Sequence, residues 1–155
     1  MLAARTEIGS DANFTRAETS GSAYYSFGRN TLSLGYRFGG KYGDAPLPGS
    51  QYFQWGGLLQ QSGYPTGALL GDNVQFGRLI YLRQLKSWSL LDGVYGGVSY
   101  EIGRVGKPVI PDNQQGTLQS SALMLGVDTP IGPLYFAYGR TWTGIHSLYL
   151  YLGHP

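Results

Sequence analysis

From Thr31 to Gly39 the character of the side chain changes at every residue. Leu32, Leu34, Tyr36 and Phe38 fall on one side, and Ser33, Gly35, Arg37 and Gly39 on the other. Only an extended strand, whose successive side chains point to opposite faces, turns this order into one apolar and one polar surface. The pattern recurs: Val94, Gly96, Val98, Tyr100 and Ile102 against Tyr95, Gly97, Ser99, Glu101 and Gly103. It recurs again with Leu123, Leu125 and Val127 against Ala122, Met124, Gly126 and Asp128, and with Leu148, Leu150 and Leu152 against Ser147, Tyr149, Tyr151 and Gly153. A chain patterned in this way folds into a sheet with two unlike faces.

Extending the reading predicts eight strands, near 2–9, 15–27, 30–40, 73–85, 92–104, 116–128, 133–142 and 146–153, in one domain spanning 1–155. The predicted fold class is all-β, an antiparallel meander. The segment near 73–85 fits least well, because Val74, Phe76, Ile80 and Leu82 share a face with Arg78 while Leu79 lies opposite with Gln75 and Arg83. Connections alternate in length. Gly28-Arg29-Asn30 and the Asp128 to Pro133 segment are tight turns of Gly, Asn, Asp and Pro, whereas 41–72 and 105–115 are long. Such alternation suits a meander that crosses a membrane, with short turns on one side and long loops on the other.

Composition bears on what bathes the apolar face. Charged residues make up 13% of the chain and aromatics 14%, against roughly 25% charged in ordinary soluble domains. Predicted strand lengths approach the roughly 9–11 residues that cross a bilayer at a tilt. The uncharged stretch from Ala45 to Gly71 is broken by Pro46, Pro48 and Pro65 and is no spanning helix. A transmembrane β-barrel is therefore expected, with Arg5, Glu7, Glu18, Arg37, Glu101 and Asp128 facing its lumen. A charge turned toward lipid costs roughly 2–4 kcal/mol at the midplane. Tyr24, Tyr25, Phe27, Trp88 and Tyr135 are candidates for an interfacial girdle; the core of a β-sandwich is the alternative home for such rings.

Other classes find little support. The net charge is +2 and the basic residues are scattered, so no stripe exists for a nucleic-acid backbone. There is no cysteine, no Gly-x-Ser-x-Gly, no phosphate-binding glycine loop, and histidine occurs only at 146 and 154. No catalytic, cofactor or metal residue is expected. His146 and Ser147 are neighbours, but adjacent strand residues point to opposite faces and cannot form a dyad without a bulge. The start, Met-Leu-Ala-Ala-Arg-Thr-Glu-Ile, lacks the apolar core of an export signal. The expectation is an engineered start or a fragment.

The segment Tyr52-Phe53-Gln54-Trp55-Gly56-Gly57-Leu58-Leu59-Gln60-Gln61-Ser62-Gly63-Tyr64 resembles the loop motif of the bacterial surface-antigen superfamily. That superfamily includes barrel-assembly and two-partner-secretion proteins. More narrowly, the chain resembles the barrel of bacterial patatin-like outer-membrane phospholipases, where serine, here Ser62, stands in place of the assembly proteins' arginine. Asn73 to Tyr81, Thr129 to Leu134 and Ser147 to Gly153 also look like that family, and together cover about the second half of a sixteen-stranded barrel. Nothing in these residues resembles the family's patatin portion or docking repeats, and Pro155 stands where the resemblance leads one to expect a terminal aromatic residue.

The resemblance implies a loop, carrying Gly56, Gly57, Ser62, Gly63 and Tyr64, that folds into the barrel lumen. An eight-stranded barrel is too narrow for it, so two copies pairing into sixteen strands are expected. It further implies a bacterial outer-membrane location, with the lipid bilayer, the barrel-assembly machinery and a second copy as partners, and a role as anchor, pore or translocation pore without enzymatic activity. A soluble ligand-binding β-barrel is the alternative, and an outer-membrane lipid hydrolase a third.

Overall fold

The computed structural model describes residues 15–42, 52–85, 93–109, 114–129 and 132–153. The strands are β1 (Thr15–Phe27), β2 (Asn30–Tyr42), β3 (Phe53–Trp55), β4 (Leu69–Gly71), β5 (Asn73–Gln84), β6 (Gly93–Gly106), β7 (Thr117–Thr129), β8 (Gly132–Thr141) and β9 (His146–Leu152). Seven of them form one antiparallel meander, β1-β2-β5-β6-β7-β8-β9, and β3 pairs with β4 in a separate hairpin. The expected strand near 2–9, with Arg5 and Glu7, lies outside the described residues. Among those residues the sheet is not closed. No helix there is long and apolar enough to cross a membrane, which says nothing about crossing by strands.

The alternation read from the sequence decides the two faces, and the apolar face is the uncovered one. Leu34, Tyr36 and Phe38 of β2 are exposed while Ser33 and Gly35, which alternate with them, are buried. Val98, Tyr100 and Ile102 are exposed while Ser99, Glu101 and Gly103 are buried. A soluble sheet buries its apolar face; here the polar face is covered instead.

The cover is the segment 52–72, part of the long connection that the sequence predicts over 41–72, and it contains the β3–β4 hairpin. Phe53 lies under the Arg16 guanidinium of β1, 4.2 Å from its ring centroid. Further along, Gly63 meets Ser147 and Tyr149 of β9. A flat sheet of seven strands would be roughly 29 Å wide at about 4.8 Å per strand. One short segment reaches both edge strands because the sheet curls around it. The register agrees. The row that begins at the turn with Phe27, Asn30 and Arg83 arrives at Leu125, Phe136 and Leu150, well inside their strands. Such stagger accompanies the strand tilt of a curled sheet.

The poor alternation of β5 has a physical cause. Its inner residues Val74 and Phe76 pack with Phe53, Trp55, Tyr64, Leu69, Val105 and Leu118 in a core between sheet and loop. A strand beneath that core is apolar inside, so periodicity blurs. At the β1–β2 turn, Gly28 has φ +59, a positive angle that a two-residue hairpin of the II′ kind requires at its first central position.

Candidate functional site

The site is the contact between the loop and the inner face, and it centres on one carboxylate. Glu101 of β6 is fully buried. Its Oε1 accepts hydrogen bonds from Ser62 Oγ (2.7 Å) and Ser99 Oγ (2.6 Å), and its Oε2 from the Ser62 backbone N–H (2.5 Å) and Ser120 Oγ (3.1 Å). Buried carboxylates are tolerated only when their lone pairs are met. Here neutral hydroxyls and an amide meet them, and two strands and the loop are tied to one group. Ser62 Oγ also accepts from the Leu59 N–H at 2.9 Å, which fixes the loop's own turn.

A second tie comes from β9. The Tyr149 hydroxyl accepts from Gly63 N–H (3.1 Å) and donates to Tyr64 C=O (2.9 Å), while Ser147 Oγ donates to Gly63 C=O (2.8 Å). On the opposite flank, Arg78 Nη1 donates to Leu59 C=O at 2.9 Å. Arg37 donates to Glu18 at 2.6 Å and to Gln54 C=O at 3.2 Å. Replacing Tyr149 with phenylalanine is expected to remove both Tyr149 ties and destabilise the loop by about 1–2 kcal/mol. Faster proteolysis within 53–71, with the sheet intact by circular dichroism, would register that loss.

Glycine supplies both the loop's shape and its seat. Gly56 and Gly63 have φ of +118 and +104. A side chain at Gly56 would lie 2.7 Å from the Pro65 carbonyl oxygen, and one at Gly63 would lie 2.8 Å from Thr141 N. Gly57 is likewise left-handed, with φ +106. On the sheet, a Cβ at Gly139 would fall 2.7 Å from Gly63 N and 2.8 Å from Ser62 Cβ. The loop backbone rests where strand side chains are missing. Tyr64 closes the apolar part of the site; burial pushes its hydroxyl above the usual phenol range, with a hydrogen bond to Thr143 pulling the other way.

The candidate residues from the sequence thus separate. Gly56, Gly57, Ser62, Gly63, Tyr64, Arg37 and Glu101 converge on the loop contact. Asp128 is on the inner face but apart from it, hydrogen-bonded by Tyr95 near the short-turn end. Tyr25 and Phe27 are exposed on the outer face, 5.7 Å apart between ring centroids. Trp88 lies outside the described residues. Tyr135 is a correction. It pairs with the buried Gly126 and lines the inner face with Tyr95 and Asp128, so it is no outward girdle residue. Strand parity decides this: Leu134 and Phe136 take the outer positions of β8.

Sequence reading did not single out Ser99, Ser120, Tyr149 or the seat at Gly139. The signal available was their position on the polar faces opposite a long loop. His146 and Ser147 lie on opposite faces: the His146 ring packs 6.1 Å from Tyr138 outside, while Ser147 bonds the loop inside. Comparison with protein-family models, curated proteins and solved structures gave no match.

Proposed function

We propose that this chain is part of a bacterial outer-membrane β-barrel, an anchor or pore without enzymatic activity, whose lumen holds the 52–72 loop. One observation carries the reading: the distribution of charge between the two faces. Arg16, Glu18, Arg37, Lys41, Arg78, Glu101 and Asp128 occupy inner positions of the described strands. Outer positions of the described strands carry only Arg83, Arg104 and Arg140 as charged residues, each near a strand end. Between them runs an uncharged outer belt that includes Leu34, Leu79, Val98, Leu123, Leu125, Phe136, Leu148 and Leu150, all exposed. Water penalises such a surface and lipid favours it. A soluble ligand-binding barrel needs the opposite arrangement.

The loop on the inner face also fits what the resemblance to surface-antigen barrels implies. Closure requires more than the described strands. In bilayer, unpaired backbone at β1 and β9 costs several kcal/mol per group, so each edge takes a partner. With seven strands β1 and β9 run in the same direction, and two copies related by rotation about the barrel axis would meet in parallel. An even number per copy makes every seam antiparallel. This favours eight strands per chain and sixteen in a homodimer.

The test is electrophoresis after refolding in detergent. The folded barrel is expected to resist SDS and to shift in mobility on boiling, and light scattering is expected to give a dimer mass. Folding without detergent, with no heat-dependent shift, would defeat the reading. An SDS-resistant monomer would instead support closure by one chain.

A further inference from the structure

The outer face carries a depression at Gly77. This residue of β5 stands between Tyr36 of β2 and Ile102 of β6 in one outward row, and its missing side chain leaves an open groove of about 480 Å³. The rings of Tyr36 and Phe38, 5.7 Å apart, form one wall. The next row toward the long-loop end is Phe38, Gln75 and Arg104. An exposed guanidinium and an amide therefore stand at the head of an apolar slot.

We propose that this groove holds an acyl chain of a phosphorylated lipid of the outer leaflet, with Arg104 on its phosphate, an inference that rests on the spanning reading above. The slot is apolar and opens on the face that reading turns toward lipid. Its head lies at the long-loop end, where the outer leaflet's headgroups would be. Arginine offers a planar fork of donors suited to phosphate. The outward charges of the described strands are Arg83, Arg104 and Arg140, with no outward carboxylate to repel an anion.

Gly77 also provides a clean test. A Cβ there would meet only Ile102 Cγ2, at 3.8 Å, so valine is accommodated by the strand and fills the groove. The wild-type chain and its variants are reconstituted into phosphatidylcholine vesicles containing lipid A or dephosphorylated lipid A, and retained lipid is measured by native mass spectrometry. Gly77→Val and Arg104→Gln are each expected to weaken lipid A retention about tenfold, as is loss of the phosphate. Arg83→Gln, at the other rim, leaves it unchanged, and excess inorganic phosphate does not displace the lipid. Equal retention of both lipid forms, or undiminished retention by both groove variants, would overturn the groove while leaving the barrel. Displacement by inorganic phosphate would replace it with a free-anion site. Failure of the wild type to insert, seen as absence of the boiling-dependent shift, would overturn barrel and groove together.

Discussion

Replacing Glu101 with alanine is expected to free the 52–72 loop from the sheet, at a cost of about 3–5 kcal/mol. The substitution leaves Ser62, Ser99 and Ser120 hydroxyls and the Ser62 amide without the acceptor they share. Each is enclosed by β6, β7 and the loop, so water does not replace the carboxylate without opening the contact. The urea midpoint of the refolded protein falls, and a protease cuts within 53–71 before it cuts the strands. Glu101→Gln keeps an acceptor oxygen but turns the other end into a donor facing donors, and falls between. If Glu101→Ala leaves both midpoint and cleavage unchanged, the carboxylate does not hold the loop.

The second large effect concerns the outer belt. Phe136 lies between Leu125 and Leu150 on neighbouring strands and is about half exposed. On the surface of a water-soluble sheet, Phe136→Arg would change stability by about half a kcal/mol or less. Facing hydrocarbon it costs about 2–4 kcal/mol. The folding equilibrium in phosphatidylcholine vesicles, compared with that of wild type, is expected to show the larger figure. A change near zero would place Phe136 in water.

The sequence made these two faces legible because strand geometry leaves little choice. Once Leu32 to Phe38 alternate with Ser33 to Gly39, the faces follow, and seven of the expected strands fall at the observed places to within about two residues. What period two does not say is which face is covered. The clue lay elsewhere, in glycines and serines on the polar faces and in a long loop with its own glycines. Even so, no spacing rule joins Ser62 to Glu101 across 39 positions. That pair depends on how the loop enters the sheet, which no local pattern specifies. Tyr135 was misplaced for a simpler reason. Proximity to a turn suggested a girdle, whereas parity with Ala137 and Gly139 on β8 sends its ring inward.

An inward polar face and a lipid-facing apolar one would leave their mark on a cysteine scan along β7. The chain has no cysteine of its own, so single substitutions from Ser120 to Val127 each carry one spin label in the reconstituted protein. Oxygen, which partitions into lipid, is expected to relax labels at Ser121, Leu123, Leu125 and Val127. Labels at Ser120, Ala122, Met124 and Gly126 are expected to be shielded from it. The expected record has period two in that phase. Odd positions more accessible to a water-soluble nickel complex than to oxygen would contradict it.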